Sequence, residues 1–166
     1  RDRMHDDDYS TAFFSESERF FHNRMNGVLA QYNGKRDSYV EFVCDWEGMY
    51  STLSREKFRI LLAGRHYLDT FYYGFNYSMF HYAGQQGAPI ENVVDLQLLT
   101  PCVGVRFNAF FDFDIKLGAL LTAQRDRSFG HSWEKPCMGE FAFRISRWGL
   151  SLDERLYVGD NIHPFF

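Results

Sequence analysis

The sequence is poor in the residues that interrupt β-sheets, and it lacks a hydrophobic run long enough for a membrane-spanning helix. Only 4 of its 166 residues are proline, whereas 18 are phenylalanine and 10 are tyrosine. Proline removes a hydrogen-bond donor from a strand and aromatic side chains favour pleated surfaces, so this composition favours an all-β fold. A spanning helix needs about 20 consecutive apolar residues. No such run exists, which excludes a membrane-spanning helix in this sequence.

Cysteine is also scarce, and the net charge is negative. The 3 cysteines, Cys44, Cys102 and Cys137, are odd in number and form no CxxC motif. The sequence therefore indicates neither a disulfide framework nor a zinc site, and we expect packed thiols, no metal and no cofactor. The net charge of −4 and the pI near 5.8 provide no basic field, so we expect no nucleic-acid partner.

The strongest positive signal is an alternation of side chains between Pro101 and Gln124. Odd positions are apolar throughout this stretch, while the even positions carry Arg106, Asn108, Asp112, Asp114, Lys116, Thr122 and Gln124. A period of two held over about twenty residues predicts two long strands that turn at residues 111–114. Strands of about ten residues with one apolar face are what a transmembrane barrel requires.

The same alternation predicts about eight antiparallel strands between residues 24 and 158. Asn33-Gly34 predicts a hairpin after the first strand, and Asp69-Thr70 allows another tight reversal. Residues 84–100 and 125–136 are expected to form long loops. We expect an acidic loop or arm over residues 1–23 and a truncated loop over residues 159–166.

Charged residues on neighbouring strands complement one another. A turn at residues 51–54 places Asp45 and Glu47 beside Arg59 and Lys57 on one face of a hairpin, where opposite charges can pair. This polar face is the expected lumen of a barrel. The lumen-lining candidates are Glu41, Asp45, Glu47, Lys57, Arg59, Arg65, Arg106, Lys116 and Arg144. They could line a solute path or hold a plug, but structural ion-pair ladders are the favoured interpretation.

The opposite face is apolar and is the one expected to contact lipid. Its candidates are Phe42, Trp46, Phe58, Ile60, Phe75, Tyr77, Phe107, Leu117 and Phe143. Glu154 interrupts this face between Leu152 and Leu156. A carboxylate at mid-membrane costs up to a few kcal/mol, so we expect a bulge there or a position near the membrane interface.

With these features the chain resembles outer-membrane β-barrel proteins of Gram-negative bacteria, and its aromatic-rich style looks most like barrels of the Bacteroides group. The resemblance covers roughly residues 24–158 and rests on architecture. Segments such as DWEGMYS, REKFRIL and RLYVGDN look like family motifs. The resemblance implies an antiparallel transmembrane β-barrel in the bacterial outer membrane, in contact with outer-membrane lipid and other envelope proteins. Its implied role is a channel or a scaffold subunit of an envelope complex.

The positions of the two chain ends refine this expectation. Residues 1–23 and 159–166 both fall on the long-loop side of the predicted strands, whereas complete barrels of this kind generally have both ends in the periplasm. We therefore expect an eight-strand portion of a larger barrel.

The main alternative is a soluble lipocalin-like barrel or sandwich that binds a lipophilic ligand. There the same alternation points its apolar face inward. Phe42, Phe75 and Phe107 would then form the core, and the face with Glu41 and Lys57 would meet water.

Two chemical sites are weaker alternatives. Asn76, Ser78 and His81 suggest the residues of an outer-membrane lipase-like hydrolase, but Ser78 and His81 differ in parity and so point to opposite faces. No GxSxG elbow supports a nucleophile, and we expect no enzyme. Asp2 with residues 6–8 offers oxygen ligands for calcium, but no glycine stands at an EF-hand position, and a solvated acidic arm is favoured.

Overall fold

The computed structural model describes residues 25–87, 93–128, 130 and 132–161. They form eight β-strands: β1 Gly27–Asn33, β2 Tyr39–Gly48, β3 Arg55–Leu68, β4 Phe71–Gln85, β5 Val94–Asn108, β6 Asp112–Asp126, β7 Cys137–Arg147 and β8 Leu150–Gly159. Each strand pairs antiparallel with its neighbours in sequence, in a single sheet ordered β1 to β8. The all-β antiparallel fold with eight strands is confirmed. In this part of the chain there is no helix with the length and apolarity to cross a membrane.

The sheet is open. β1 and β8 are its two edges and do not pair with each other in the described part of the chain. A barrel removes its edges by pairing its first and last strands. The described strands therefore do not close into a barrel, and the confirmed fold is a single eight-stranded sheet. The expected acidic arm at residues 1–23 lies outside the described residues, as do residues 162–166.

Tight turns lie at one end of the sheet, which we call the turn end; the opposite end is the loop end. Asp69 and Thr70 alone separate β3 from β4, as predicted. Trp148 and Gly149 alone separate β7 from β8, with φ of 53° and 79°. Positive φ at both positions is the mark of a type I′ hairpin, whose twist matches the flanking strands.

The first hairpin is present but is wider than the Asn33-Gly34 signal suggests. The amide of Gly34 donates to the carbonyl of Ser38 at 2.7 Å, which closes a loop over residues 34–38. The left-handed residues are Arg36 and Asp37, with φ of 55° and 61°. The left-handed residues therefore lie three positions later than those of an Asn33-Gly34 turn would.

The predicted turn at residues 111–114 is wrong. Residues 109–111 connect β5 to β6, and Asp112 already pairs with Asn108. Asp112 and Asp114 resemble turn residues in the sequence. In the structure they are polar side chains on one face of β6, and Asp114 binds Arg106 across the ladder at 2.9 Å.

The predicted loop over residues 84–100 is also wrong in part, because β4 continues to Gln85 and β5 begins at Val94. Val94, Leu96 and Leu98 are buried, whereas Asp95 and Gln97 point to the other face. The alternation is present here, but its sense is reversed. Even positions are apolar before Thr100 and odd positions after it, so the pattern that starts at Pro101 could not be extended backwards.

Burial divides the sheet into an inner face, which carries the buried side chains, and an outer face. A hydrophobic core lies on the inner face and contains Tyr39, Val43, Leu61, Ala63, Phe80, Leu96, Leu98 and Leu120. The largest fully buried side chains are also on this face and include Arg59, Phe80 and Leu61.

Candidate functional site

The outer face carries an unbroken row of apolar side chains across five strands. Tyr73 of β4 pairs with Val103, Val103 with Leu117, Leu117 with Phe141, and Phe141 with Leu156. These side chains remain exposed, from 38% for Phe141 to 61% for Leu156. Directly paired residues share a face and their side chains touch. The row is therefore one continuous apolar surface without a partner in the described residues.

The structure brings all nine predicted lipid-facing residues to the outer face. Phe42, Trp46, Phe75, Phe107 and Leu117 are exposed. Phe58, Ile60, Tyr77 and Phe143 are half-buried among their neighbours on the same face. Since Phe42, Phe75 and Phe107 are 38%, 36% and 40% exposed, they do not converge on a common core as the soluble alternative requires.

Glu154 lies on the outer face opposite Phe143 and is exposed. The expected bulge is wrong, because β7 and β8 pair without a register shift from the pair Met138–Gly159 to the pair Arg147–Leu150. The carboxylate lies four ladder positions from the pair of Arg147 with Leu150 at the turn end, near the middle of β8.

The structure places all nine predicted lumen-lining residues on the inner face. Glu41, Asp45 and Arg59 are buried. Glu47, Lys57, Arg65 and Lys116 are half-buried, and Arg106 and Arg144 are exposed at the turn end.

The predicted ladder of opposite charges is present near the loop end. Asp45 lies directly opposite Arg59, and Glu47 contacts Lys57 at 2.6 Å and Arg59 at 2.8 Å. Asp45 also accepts a hydrogen bond, from the backbone amide of Asn26, at 2.7 Å. Pairing of this kind allows charged side chains to remain buried.

At the turn end the inner face holds a polar cluster of Arg65, Tyr67, Tyr72, Arg106 and Asp114, which we call the inner polar cluster. The hydroxyl of Tyr72 donates to Asp114 Oδ1 at 2.6 Å, and Arg106 donates to Oδ2 through Nη2 at 2.9 Å and Nε at 3.2 Å. The guanidinium of Arg65 lies 4.8 Å from the Tyr72 ring, and that of Arg106 lies 5.2 Å from the Tyr67 ring. Asp114 on β6 thus accepts hydrogen bonds from the Tyr72 hydroxyl of β4 and the Arg106 guanidinium of β5.

Gly104 makes this arrangement possible. It lies beside Tyr72 in the register, and a Cβ at this position would overlap the Tyr72 ring. The glycine therefore lets the ring lie across β5, so that its hydroxyl reaches Asp114 on β6.

Further ion pairs extend the inner polar cluster toward β8. Lys116 contacts Glu140 at 3.3 Å, and Arg144 contacts Asp153 at 2.5 Å. A cavity of about 100 Å³ lies between these side chains and the cluster. Most of its charged groups are already paired across strands, so the arrangement joins the strands.

A second charged group lies on the outer face at the loop end and consists of His81, Asp95, Arg125 and Arg127; we call it the Asp95 cluster. Asp95 contacts His81 Nδ1 at 2.6 Å, Arg125 at 2.5 Å and Arg127 at 3.5 Å. The Arg125 guanidinium also lies 4.5 Å from the Trp133 ring. The cluster was not predicted from the sequence, because Asp95 and Arg125 were expected to lie in loops. The signal was the shared odd parity of His81, Asp95 and Arg125.

The electrostatics of the Asp95 cluster favour the charged carboxylate. Burial raises the pKa of Asp95, but hydrogen bonds from Arg125 and His81, together with their positive charge, outweigh it. The net result is a pKa below the usual range for aspartate. Asp95 is therefore a stable anion that holds several cationic groups in place.

The structure does not bring the lipase-like candidates together. Ser78 is buried on the inner face between Leu61 and Leu98 in the register, whereas His81 pairs with Phe58 and Asp95 on the outer face. Nor does the described part of the chain contain a group of three or more His, Cys, Asp or Glu side chains placed to hold a metal ion. The calcium candidates Asp2 and residues 6–8 lie outside it.

Comparisons with known protein families, with curated proteins and with solved structures found no match to this chain.

Proposed function

We propose that this sheet is part of the wall of a transmembrane β-barrel in the bacterial outer membrane, with the apolar part of its outer face in lipid, its tight turns at one membrane interface and its loop end outside the lipid. The observation that carries the proposal is the exposed apolar row from Tyr73 to Leu156. Soluble monomers rarely expose a contiguous apolar patch of more than a few hundred Å². A wall whose apolar face is outside and whose charged side chains are inside is the arrangement of a barrel in lipid.

The dimensions of the apolar surface support this medium. On β5 the outer face is apolar from Leu99 to Phe107, which spans about 27 Å along the strand at about 3.4 Å per residue. With the strand tilt of about 40° found in such barrels, this corresponds to a height of about 20 Å, close to the apolar band of about 25 Å. The open edges β1 and β8 are consistent with a wall that further strands complete.

Aromatic side chains at the turn end support an interface with water there. Phe110 and Trp148 are 65% and 78% exposed at the tips of two neighbouring hairpins. The Arg147 guanidinium lies between them, 3.5 Å from the Phe110 ring and 4.4 Å from the Trp148 ring. Aromatic rings and arginine are enriched at the headgroup level of membranes, where one end of the side chain is apolar and the other is wet.

The inner face favours a scaffold role over a channel. Arg59, Leu61, Phe80 and Leu120 are fully buried on this face, and an apolar core occupies much of its length. A conducting lumen requires a hydrated lining of polar groups. A filled interior instead supports a subunit that anchors or organises an envelope complex.

The medium can be tested on the full chain by comparing its state in plain buffer, in detergent micelles and in phospholipid vesicles. We expect aggregation in buffer, a monodisperse species in detergent and resistance of the strands to protease in vesicles. A monodisperse protein in buffer without detergent would contradict the proposal and favour the soluble lipocalin-like alternative.

Conductance separates the two membrane roles. Once vesicle insertion is established, the full chain is reconstituted into planar bilayers. We expect a silent membrane if the protein is a scaffold, and stepwise conductance would show that it is a channel instead.

A further inference from the structure

We propose that Arg125 and Arg127 bind the phosphate of an anionic lipid headgroup at the loop end of the outer face. The inference rests on the proposed function, because it requires this face to meet lipid. It names a lipid class that the protein would select from its surroundings.

The charge balance of the Asp95 cluster supports an anionic ligand. Within the described residues the ion pairs of Arg125 and Arg127 are both made to Asp95, so two guanidiniums share one carboxylate. His81 binds the second oxygen of the same carboxylate. The cluster is only partly exposed, with side-chain exposures of 19% for Arg125 and 34% for Arg127. A half-buried excess of positive charge is stabilised by a further anion.

An unused donor lies within this excess of positive charge. The Nε of Arg127 is buried and has no hydrogen-bond partner among the described residues. A buried donor without an acceptor costs free energy, and the oxygens of a phosphate are strong acceptors for guanidinium groups. The Nε of Arg127, which lacks an acceptor, and the excess of positive charge therefore both favour a phosphate as the ligand.

The position of the cluster favours a lipid phosphate over a free one. Asp95 lies four residues from Leu99, where the apolar outer surface of β5 begins, and the distance along the strand is about 13 Å. A lipid whose acyl chains cover Leu99 and Leu121 would place its headgroup beside Arg125 and Arg127. The exposed Trp133 ring next to Arg125 is a side chain typical of this depth.

Trp133 provides a local readout for the test. The chain has 3 tryptophans, so replacing Trp46 and Trp148 by phenylalanine leaves Trp133 as the reporter. The full-length variant is inserted into phosphatidylcholine vesicles that contain increasing fractions of phosphatidylglycerol with brominated acyl chains, which quench nearby tryptophan. The reference series uses brominated phosphatidylcholine. We expect phosphatidylglycerol to be preferred about fivefold near Trp133, the effect of about one basic side chain at an anionic membrane surface.

Arg127→Gln removes the proposed contact but leaves Asp95 paired with Arg125 and His81. We expect this variant to lose the preference for phosphatidylglycerol. Arg36→Gln is the matched control, because it removes the same charge from an exposed ion pair with Asp69 at the opposite end of the sheet. This control should keep the fivefold preference.

The outcomes separate the inference from the proposed function. If the protein inserts but Trp133 reports no preference, or Arg127→Gln retains it, the headgroup site is refuted and the barrel proposal stands. If inorganic phosphate in the buffer abolishes the preference, the site binds a free anion and the lipid assignment is refuted. Failure to insert into any vesicle would refute both.

Discussion

The two ends of β5 belong to the same strand but have opposite sidedness. Near the loop end, Val94, Leu96 and Leu98 are buried on the inner face while Asp95 and Gln97 face outward. Beyond Thr100 the apolar residues Val103, Val105 and Phe107 are on the outer face, whereas Arg106 points inward to Asp114. At the loop end β5 thus has its apolar side chains on the inner face, as in a water-soluble sheet packed on a core. At the turn end its apolar side chains are on the outer face and the charged one points inward.

This difference shows that an alternating pattern predicts a strand but does not by itself predict which face of the strand is apolar. The period of two specifies a strand with two unlike faces at both ends of β5. The sense of the alternation depends on the medium that each face meets, and this changes at about Leu99. A single strand that crosses from water into lipid would need this reversal, so in the proposed barrel Leu99 would mark the boundary of the region that faces lipid.

The largest effect is expected from the hydrophobic core on the inner face. Leu61 is fully buried on the inner face, whereas Leu53, in the turn between β2 and β3, is 93% exposed. Leu61→Ala should lower the free energy of unfolding by about 3 to 5 kcal/mol through lost burial and a residual cavity. The matched change Leu53→Ala should alter it by less than about 0.5 kcal/mol. Urea titration of the protein in vesicles or micelles measures both, and equal costs would refute a dry core on the inner face.

The next effect tests the outer face at the turn end. Leu117 lies at the centre of the exposed apolar row and is 57% exposed. In lipid, Leu117→Lys should cost about 2 to 4 kcal/mol, whereas Leu53→Lys should be nearly neutral. If this face met water, Leu117→Lys would also be nearly neutral, since exposed substitutions usually change stability by less than about 0.5 kcal/mol. Comparing the urea midpoints of Leu117→Lys and Leu53→Lys therefore shows whether this face contacts lipid or water.

Strand positions on the turn side followed from sequence because one face there is apolar at every second residue. The hairpin at Asp69-Thr70 and the facing charges of Glu47, Lys57 and Arg59 were also predictable, since turn residues and complementary charges are local signals. The boundary at residues 109–111 was not. Inward-facing Asp112 and Asp114 are indistinguishable in sequence from the aspartates of a turn.

A smaller effect is expected at the inner polar cluster. Gly104→Ala places a Cβ against the Tyr72 ring and should displace the hydroxyl from Asp114, at a cost of about 1 to 3 kcal/mol. Gly84→Ala is the control in β4, because a Cβ there meets no atom within 4 Å. Adding Tyr72→Phe to Gly104→Ala forms a double-mutant cycle. Additive costs would show that Gly104 does not act through the Tyr72 hydroxyl.

The Asp95 cluster could not be assembled from sequence for a different reason. Its members come from β4, β5 and β6 and, for Arg127, from the residue that follows β6, and their contact depends on the register of three strands. Register is set by cross-strand packing and turn geometry over the whole sheet. The parity of His81, Asp95 and Arg125 could place them on one face, but only the pairing of His81 with Asp95 and of Asp95 with Arg125 brings them together.

The smallest effect is a pH dependence that belongs to the loop end. The pKa of Asp95 is lowered in the folded protein by its hydrogen bonds with Arg125 and His81, which overcome the effect of burial. Between the folded pKa and the unfolded value of about 3.9, the unfolded chain binds more protons, so stability rises with pH in this window. The contribution is fully present above about pH 4 and is lost as the pH falls through the folded pKa.

Asp95→Asn should therefore be less stable than the wild type at neutral pH and should approach it at low pH. Asp69→Asn, in an exposed ion pair at the turn end, is the control that should leave the acid-unfolding profile nearly unchanged. Parallel profiles for the wild type and Asp95→Asn across this acid range would mean that the carboxylate does not hold the cationic groups of the loop end.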